Sequence, residues 1–586
     1  MRAAVALFIL AAGTLLGTGG RLVYLEQAQG PEMRRRAEKQ QTGEMTIPAQ
    51  RGEIFDAAGR VLAGSLRRPS IYVDATQEDD ARYAAHSIAP VLGLKAADLE
   101  KLLLEKRQRA FVWVKREISD EELRAFQEVR RLRHLNAFGV VYEPQRRYPL
   151  GRMASSVIGF VGAEQHGLAG IEQEFDAILT GKDGRQTSTV DARRRPVRER
   201  ADEYVAPRDG ATVVLTIESH IQQIAERNLR EAVEQYKALW GTAVVMHPHS
   251  GEVLAMASYP DFDPNVPFPG VSGTPSKEEI ERTRNRAIAD AYEPGSIFKP
   301  FMACPAVEAG IARLEENFAV NGPQHSFGSR IIHDTHTYGT LSLREVISKS
   351  SNIGMGMLGS RIGNARLHEF VRRFGFGDVT GITLPGEHSG LVNDFDSWTS
   401  FSTQSIPIGQ EVGVTPIQLL TAFSAFANGG VLYRPRVVRG IIDADGGVIE
   451  DHSTPIPIRR VLDAQVARKF RLEALVEVVQ EGTGKNADIE PYQVFGKTGT
   501  AQIAHAGGRG YAEHAYVGSF IGGAPAEEPR VVVIVSIYWP RSGGYYGGTV
   551  AAPSVANILA DTLRYLGVPP EPHKRASRGA GSVGGW

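Results

Sequence analysis

The chain is nearly free of cysteine. Cys304 is the one thiol among 586 residues, which excludes an intramolecular disulfide and any zinc site built on paired cysteines. It leaves the compartment open, because a large exported domain folds without disulfides. An excess of either charge is also missing. Lys+Arg is 66 against Asp+Glu 67, a formal net charge of -1. The chain therefore lacks the positive surplus of a nucleic-acid binder and the acidic surplus of a disordered protein. Long apolar runs are absent with one exception. Ala3 to Gly20 is 18 residues without a charge; as a helix it reaches about 27 Å, near the hydrocarbon thickness of a bilayer. Two readings stand: a transmembrane anchor over residues 1–24 with a short cytoplasmic end, or a cleaved signal peptide, for which Gly17 to Gly20 is small enough. Arg34, Arg35 and Arg36 follow the run, so flanking charge does not assign its orientation. With no second run, everything after about residue 24 is expected on one side of the membrane.

What is present is an ordinary folding composition, 42% hydrophobic and 23% charged, on a chain long enough for a large core. Residues 25–210 are polar, with short strand-like pieces. Gly59 suits a turn that needs φ > 0, residues 119 to 134 read as a charged helix with a solvated face, and Arg193-Arg194-Arg195 reads as exposed surface. From residue 211 the pattern changes. Thr212 to Thr216 is a buried-strand pattern, and Ser219 with Gln222 reads as a capping box opening a helix. Ala243–Met246 and Val253–Ala257 read as strands joined by a hairpin over His247 to Gly251. Val531 to Ile537 is a continuous β-branched run, as expected of a central strand covered on both faces. This is an α+β pattern, helices on an antiparallel sheet. Arg575 to Trp586 is Gly/Ser-rich and basic, so 569–586 is expected to be a disordered tail.

Three short motifs carry chemistry. Ser296-Ile297-Phe298-Lys299 is an S-x-x-K that follows Pro294-Gly295 and precedes an apolar run. Pro300 is costly inside a helix, so the helix should begin close to Ser296. That places Ser296 near a helix N-terminus, whose N–H groups favour a developing oxyanion, with Lys299 on the same face. A lysine beside a serine acts as its base only when neutral, so burial or a second cation must lower its pKa. Ser350-Ser351-Asn352 is an S-x-N at the end of a helix capped by Ser342 and Glu345; an Asn/Ser turn is the plain alternative. Lys497-Thr498-Gly499-Thr500 is a K-T-G on a strand approach. Gly499 permits a ligand backbone to come close, and Lys497 with the threonine hydroxyls suits a carboxylate.

The three motifs in this order resemble those of the penicillin-recognising serine acyl-enzymes, penicillin-binding proteins and serine β-lactamases. The resemblance covers nearly the whole chain. Arg51-Gly52-x-Ile54-x-Asp56 and Gly167 to Glu172 look like the N-terminal module of class B penicillin-binding proteins. Gly251 to Met256, Asn285 to Ala287 and Gln410 to Pro416 look like their transpeptidase domain. Glu293 before Pro-Gly-Ser, with the Gly-Gln-Glu stretch, looks more like the division (septal) type than the elongation type. His247 and Glu218 stand where acidic residues and Asp are common, and Asp56-Ala57-Ala58-Gly59 departs from the usual Arg-Asn centre, which is expected to soften a salt bridge.

The resemblance implies a β-lactamase-like sandwich over 211–568, preceded by an elongated, mostly-β pedestal or dimerisation domain over 25–210. It implies a stem peptide ending in D-Ala-D-Ala as substrate and β-lactams as covalent inhibitors. Ser296 would be the nucleophile, Lys299 its base and Ser350 the proton relay, with Asn352 holding Lys299. Lys497 would depress the Lys299 pKa and, with Thr498 and Thr500, bind the terminal carboxylate. The backbone N–H groups of Ser296 and Thr500 would form the oxyanion hole. No cofactor or metal is called for. A SEDS-family membrane glycosyltransferase and other division proteins are the implied partners, with the catalytic domain on the extracytoplasmic side of the cytoplasmic membrane. Rival readings are a D,D-carboxypeptidase or β-lactamase-like hydrolase and a non-catalytic division scaffold. The first lacks a class A E-x-x-L-N-like element, and the second would usually lose a motif. Weaker candidates are His333 and His336 as metal ligands on a loop, Cys304 as a buried hydrophobe, and Tyr545-Tyr546, read as loop packing rather than cleft lining.

Overall fold

The computed structural model describes residues 1–33, 35, 42–162, 164–190, 196–266, 276–505 and 510–570. The basic runs at 34–36 and 193–195 and the expected tail beyond residue 570 lie wholly or mostly outside these. Arg2–Tyr24 is an α-helix with no buried residue, and the helical stretch is long and apolar enough to cross a membrane.

The chain divides into two compact units that do not follow chain order. One combines Met1–Arg51, Arg67–Pro144 and Thr180–Gly210; the other combines Gly52–Leu66, Gln145–Leu179 and Ala211–Trp586. The compact units therefore interleave along the chain. The physical reason is strand pairing and charge. Ile54 and Phe55 pair in parallel with Val213 and Val214, and Arg146 makes a buried ion pair with Glu172 at 2.6 Å while donating to the Gly52 carbonyl at 2.6 Å.

In the first unit, an antiparallel sheet orders Thr42–Ile47, Gly184–Val190 and Pro196–Val205. A separate core gathers Ile71, Val73, Leu99, Phe126 and Phe138. Phe126 comes from the Asp120–Leu132 helix, which opens on a capping box between Ser119 and Glu122 and otherwise presents charge to solvent.

The second unit is built on a five-stranded antiparallel sheet in the order Val253–Tyr259, Trp240–Met246, Val531–Tyr538, Tyr511–Ala524, Phe495–Ala504. Val531–Tyr538 is central, and its side chains alternate between two cores. Val533, Val535 and Ile537 pack with Ile224, Leu229 and Leu559 of the Ser219–Gln235 and Ala552–Tyr565 helices. Val532 and Ile534 face the aromatic core of Phe301, Phe423 and Phe426. That alternation is the two-residue period of a strand with both faces covered.

One local expectation is corrected. The Ser219–Gln235 helix is capped by Glu218, whose carboxylate accepts from the His220 N–H at 2.9 Å. Ser219 lies inside the helix because its hydroxyl donates to Asp56 at 2.6 Å, and Gln222 is turned to the Met256 backbone. The Asp56 to Arg60 turn keeps its ion pair, 3.2 Å from the Arg60 guanidinium to Asp56, with further backbone donors from Ala58 and Arg60.

Candidate active site

The nucleophile motif sits in a tight 3-10 turn, Gly295–Phe298, that runs directly into the Lys299–Glu308 helix with Pro300 in its first turn. The missing N–H of Pro300 costs nothing there. Gly295 adopts φ +56, and a Cβ on it would lie 2.8 Å from the Thr500 carbonyl. A Cβ on Gly499 would lie 2.8 Å from Ile297. Gly499 is thus required by the nucleophile turn pressing on the K-T-G strand. The contact brings Ser296 and Thr500 to one edge.

The S-x-N motif lies between the Leu343–Ser348 and Asn352–Ile362 helices. The first opens on the expected Ser342/Glu345 capping box. Ser350 adopts φ +61, a left-handed conformation that costs a non-glycine residue about 1–3 kcal/mol and persists where its surroundings enforce it. Here the enforcing group is Lys299. Its ammonium nitrogen lies 2.6 Å from the Ser350 carbonyl, 3.1 Å from Ser350 Oγ and 2.9 Å from Asn352 Oδ1. Lys497 Nζ reaches the same Ser350 Oγ at 3.0 Å from the opposite motif, and also the Thr498 carbonyl at 3.2 Å. One hydroxyl therefore bridges two fully buried lysines.

The electrostatics follow from that burial. Loss of water pushes Lys299 down to about 7, opposed by the negative charge of Asp334. Lys497 is also held well below the ordinary lysine value, by burial first and then by repulsion from Lys299. Burial thus leads at both lysines, and the repulsion expected to lower Lys299 acts instead on Lys497. A lysine near 7 is half neutral at physiological pH and can take a proton from a serine.

Sequence reasoning missed Asp334. Its carboxylate accepts from Ser351 Oγ at 2.5 Å and from the N–H groups of Asn352 and Ile353 at 2.5 and 3.1 Å. It caps the positive end of the Asn352–Ile362 helix and fixes the S-x-N turn. The available signal was an acidic residue between two histidines that read as a loop and only as weak metal-ligand candidates. His333 and His336 lie on the Arg330–Ser342 strand, not a loop, and the His333 carbonyl accepts from Asn352 Nδ2 at 3.1 Å. No group of three His, Cys, Asp or Glu side chains among the described residues is placed to hold a metal ion. Cys304 is buried in the helix after the nucleophile, and burial pushes its thiol up.

All three motifs open on one cleft of about 770 Å³, lined by Ser296, Ser350, Asn352, Thr498 and Thr500. Tyr545 and Tyr546 line it too, Tyr545 stacked on Tyr516 at 4.1 Å between centroids; they are cleft walls rather than mere loop packing. Thr498 Oγ1 is held by Thr483 Oγ1 at 2.6 Å, and the Gly547 N–H donates to Thr500 Oγ1 at 3.2 Å.

Residues 241–560 match the penicillin-binding protein transpeptidase domain, and residues 46–215 match the penicillin-binding protein dimerisation domain. The chain belongs to the penicillin-binding proteins. With a dimerisation domain ahead of the transpeptidase domain, it is of class B. Stage V sporulation protein D of Bacillus subtilis is 34% identical over 96% of this chain and 86% of its own length. The peptidoglycan D,D-transpeptidase FtsI of Escherichia coli is 29% identical over 94% of this chain and 90% of its own. The crystal structure of penicillin-binding protein 3 from Mycobacterium tuberculosis with aztreonam superposes with a TM-score of 0.68, at 28% identity, covering 90% of this chain and 98% of that one. Penicillin-binding proteins of this kind are serine transpeptidases that act on peptidoglycan stem peptides and bind β-lactams.

Proposed function

We propose that this penicillin-binding protein cross-links stem peptides ending in D-Ala-D-Ala during septal wall synthesis, through an acyl-enzyme on Ser296 that penicillins trap. The observation that carries the reading is the single hydroxyl of Ser350 held 3.1 Å from Lys299 and 3.0 Å from Lys497. Neutral Lys299 takes the Ser296 proton as Oγ attacks the penultimate D-Ala carbonyl. The backbone N–H groups of Ser296 and Thr500 receive the oxyanion. Ser350 passes the proton to the leaving D-Ala amine, and Asn352 holds Lys299 in place. Lys497, Thr498 and Thr500 bind the terminal carboxylate, with Gly499 leaving room for the nucleophile turn. That carboxylate restores to Lys497 the counter-ion it lacks, so substrate binding favours its charged form.

The division role is supported by relatives named FtsI and stage V sporulation protein D. Residues 1–24 anchor the chain uncleaved in the cytoplasmic membrane, residues 25–210 serve as the pedestal, and residues 211–568 work on the extracytoplasmic side. A SEDS-family glycosyltransferase supplies the strands to be cross-linked, beside other division proteins. The test is labelling with a fluorescent penicillin followed by peptide mapping. The adduct is expected on Ser296, and an intact-mass adduct on Ser296→Ala protein would overturn the assignment.

A further inference from the structure

The three motifs account for acylation and leave the second half of the reaction without a residue. An amine from a neighbouring stem must lose its ammonium proton before it can attack the acyl-enzyme. The charges of the cleft are unevenly placed. Its lysines sit with the S-x-N and K-T-G motifs, Lys349 beside Ser350 and Lys485 beyond the Thr483 that holds Thr498. Glu293 is the one carboxylate among the described residues lining the cleft, three positions before the nucleophile and just ahead of its turn. Its carboxylate is held from two sides: the Glu411 N–H donates to Oε1 at 2.9 Å, and the Tyr511 hydroxyl donates to Oε2 at 2.9 Å. Glu411 is itself in a left-handed conformation, φ +63, which aims its N–H at Glu293. No cation pairs with Glu293 within ion-pair distance among the described residues, and each of its oxygens has a lone pair beyond the bond already made.

We propose that Glu293 receives the acceptor ammonium and takes its first proton. The inference rests on the proposed function and extends it to the acceptor. In the step, R–NH3+ gives one proton to the Glu293 carboxylate. The freed nitrogen lone pair attacks the acyl carbon on Ser296, and the C–N bond forms. The C–Oγ bond then breaks, and the second nitrogen proton returns through Ser350 and Lys299 to Ser296 Oγ. The products are the amide cross-link, free Ser296 and protonated Glu293, which releases its proton to solvent. Burial and the nearby Glu411 charge raise the Glu293 carboxyl above the usual range, which makes it a stronger base than an exposed glutamate.

The test uses the full-length enzyme acylated by a D-alanyl thioester donor. It compares two acceptors: Nα-acetyl-lysinamide, an ammonium at neutral pH, and hydroxylamine, which is neutral. For Glu293→Gln, aminolysis by the ammonium acceptor is expected to fall at least tenfold relative to hydroxylaminolysis, the scale of a lost charge-assisted contact or proton transfer. A structural role for Glu293 would slow both acceptors equally, and that result overturns the inference. If Glu293→Gln protein does not fold, Glu293→Asp in the same assay decides, because it keeps the charge and withdraws it by one methylene: a selective loss for the ammonium supports the inference, and equal rates overturn it. A wild-type enzyme that forms no acyl-enzyme would overturn both this inference and the proposed function.

Discussion

Two buried charge clusters in the same compact unit behave in opposite ways. Arg146 and Glu172 are 1% and 0% exposed and lie 2.6 Å apart, with the Tyr148 hydroxyl on the same carboxylate at 3.2 Å. Opposite charges, multiply hydrogen-bonded, neutralise each other there. Lys299 and Lys497 are equally buried, yet they share a hydroxyl and no carboxylate touches either within hydrogen-bond distance among the described residues. The first cluster ties the 145–179 segment to the 52–66 segment. The second sheds protons. The difference is the partner, because burial disfavours a charge that lacks a counter-ion and tolerates one that has it.

The comparison breaks most visibly at Lys299. Replacing it as Lys299→Met is expected to lower the penicillin acylation rate by about a thousandfold or more, while Ser350→Ala slows it less, within the range of general acid–base catalysis. Stopped-flow acylation measures both, and equal rates in wild type and Lys299→Met would remove the lysine as base. Stability should respond in the reverse sense. Arg146→Met breaks the buried ion pair with Glu172 and is expected to cost about 3–5 kcal/mol. Lys497→Met removes a buried amine that lacks a counter-ion and should leave the melting temperature unchanged or higher. Lys299→Met should stabilise most at pH 7 and below. The folded-state value of about 7 lies below the unfolded one, so the wild type regains stability as pH rises from there toward the ordinary lysine range. Thermal melts across pH check the sign.

The smallest effect is expected at Asp334. Its charge raises the Lys299 pKa, so Asp334→Asn should move the acid limb of the acylation profile to lower pH. The lost cap should cost about 1 kcal/mol. A limb that moves upward would contradict the assigned electrostatics.

What the sequence made legible was local and chemical. The three motifs carry their own residue types, and the Val531–Tyr538 strand and the Ser342 and Ser119 caps follow from patterns a few residues long. What it hid depends on distant partners. Ser219 reads as a cap until Asp56, remote in sequence, takes its hydroxyl. Asp334 reads as part of a histidine pair until the fold sets it at the end of the S-x-N helix. Gly499 reads as room for a ligand until Ile297 is seen against it. The packing of residues 52–66 with the later segment is hidden for the same reason: Ile54 and Phe55 find their partners at Val213 and Val214.

The lysine three residues after the nucleophile is poised near neutrality by burial. The direct test is an NMR titration of 15Nζ-labelled lysines, with the Lys299 signal assigned by its absence in Lys299→Met. A midpoint of about 7 is expected; a midpoint at the ordinary lysine value of about 10.4 would contradict it.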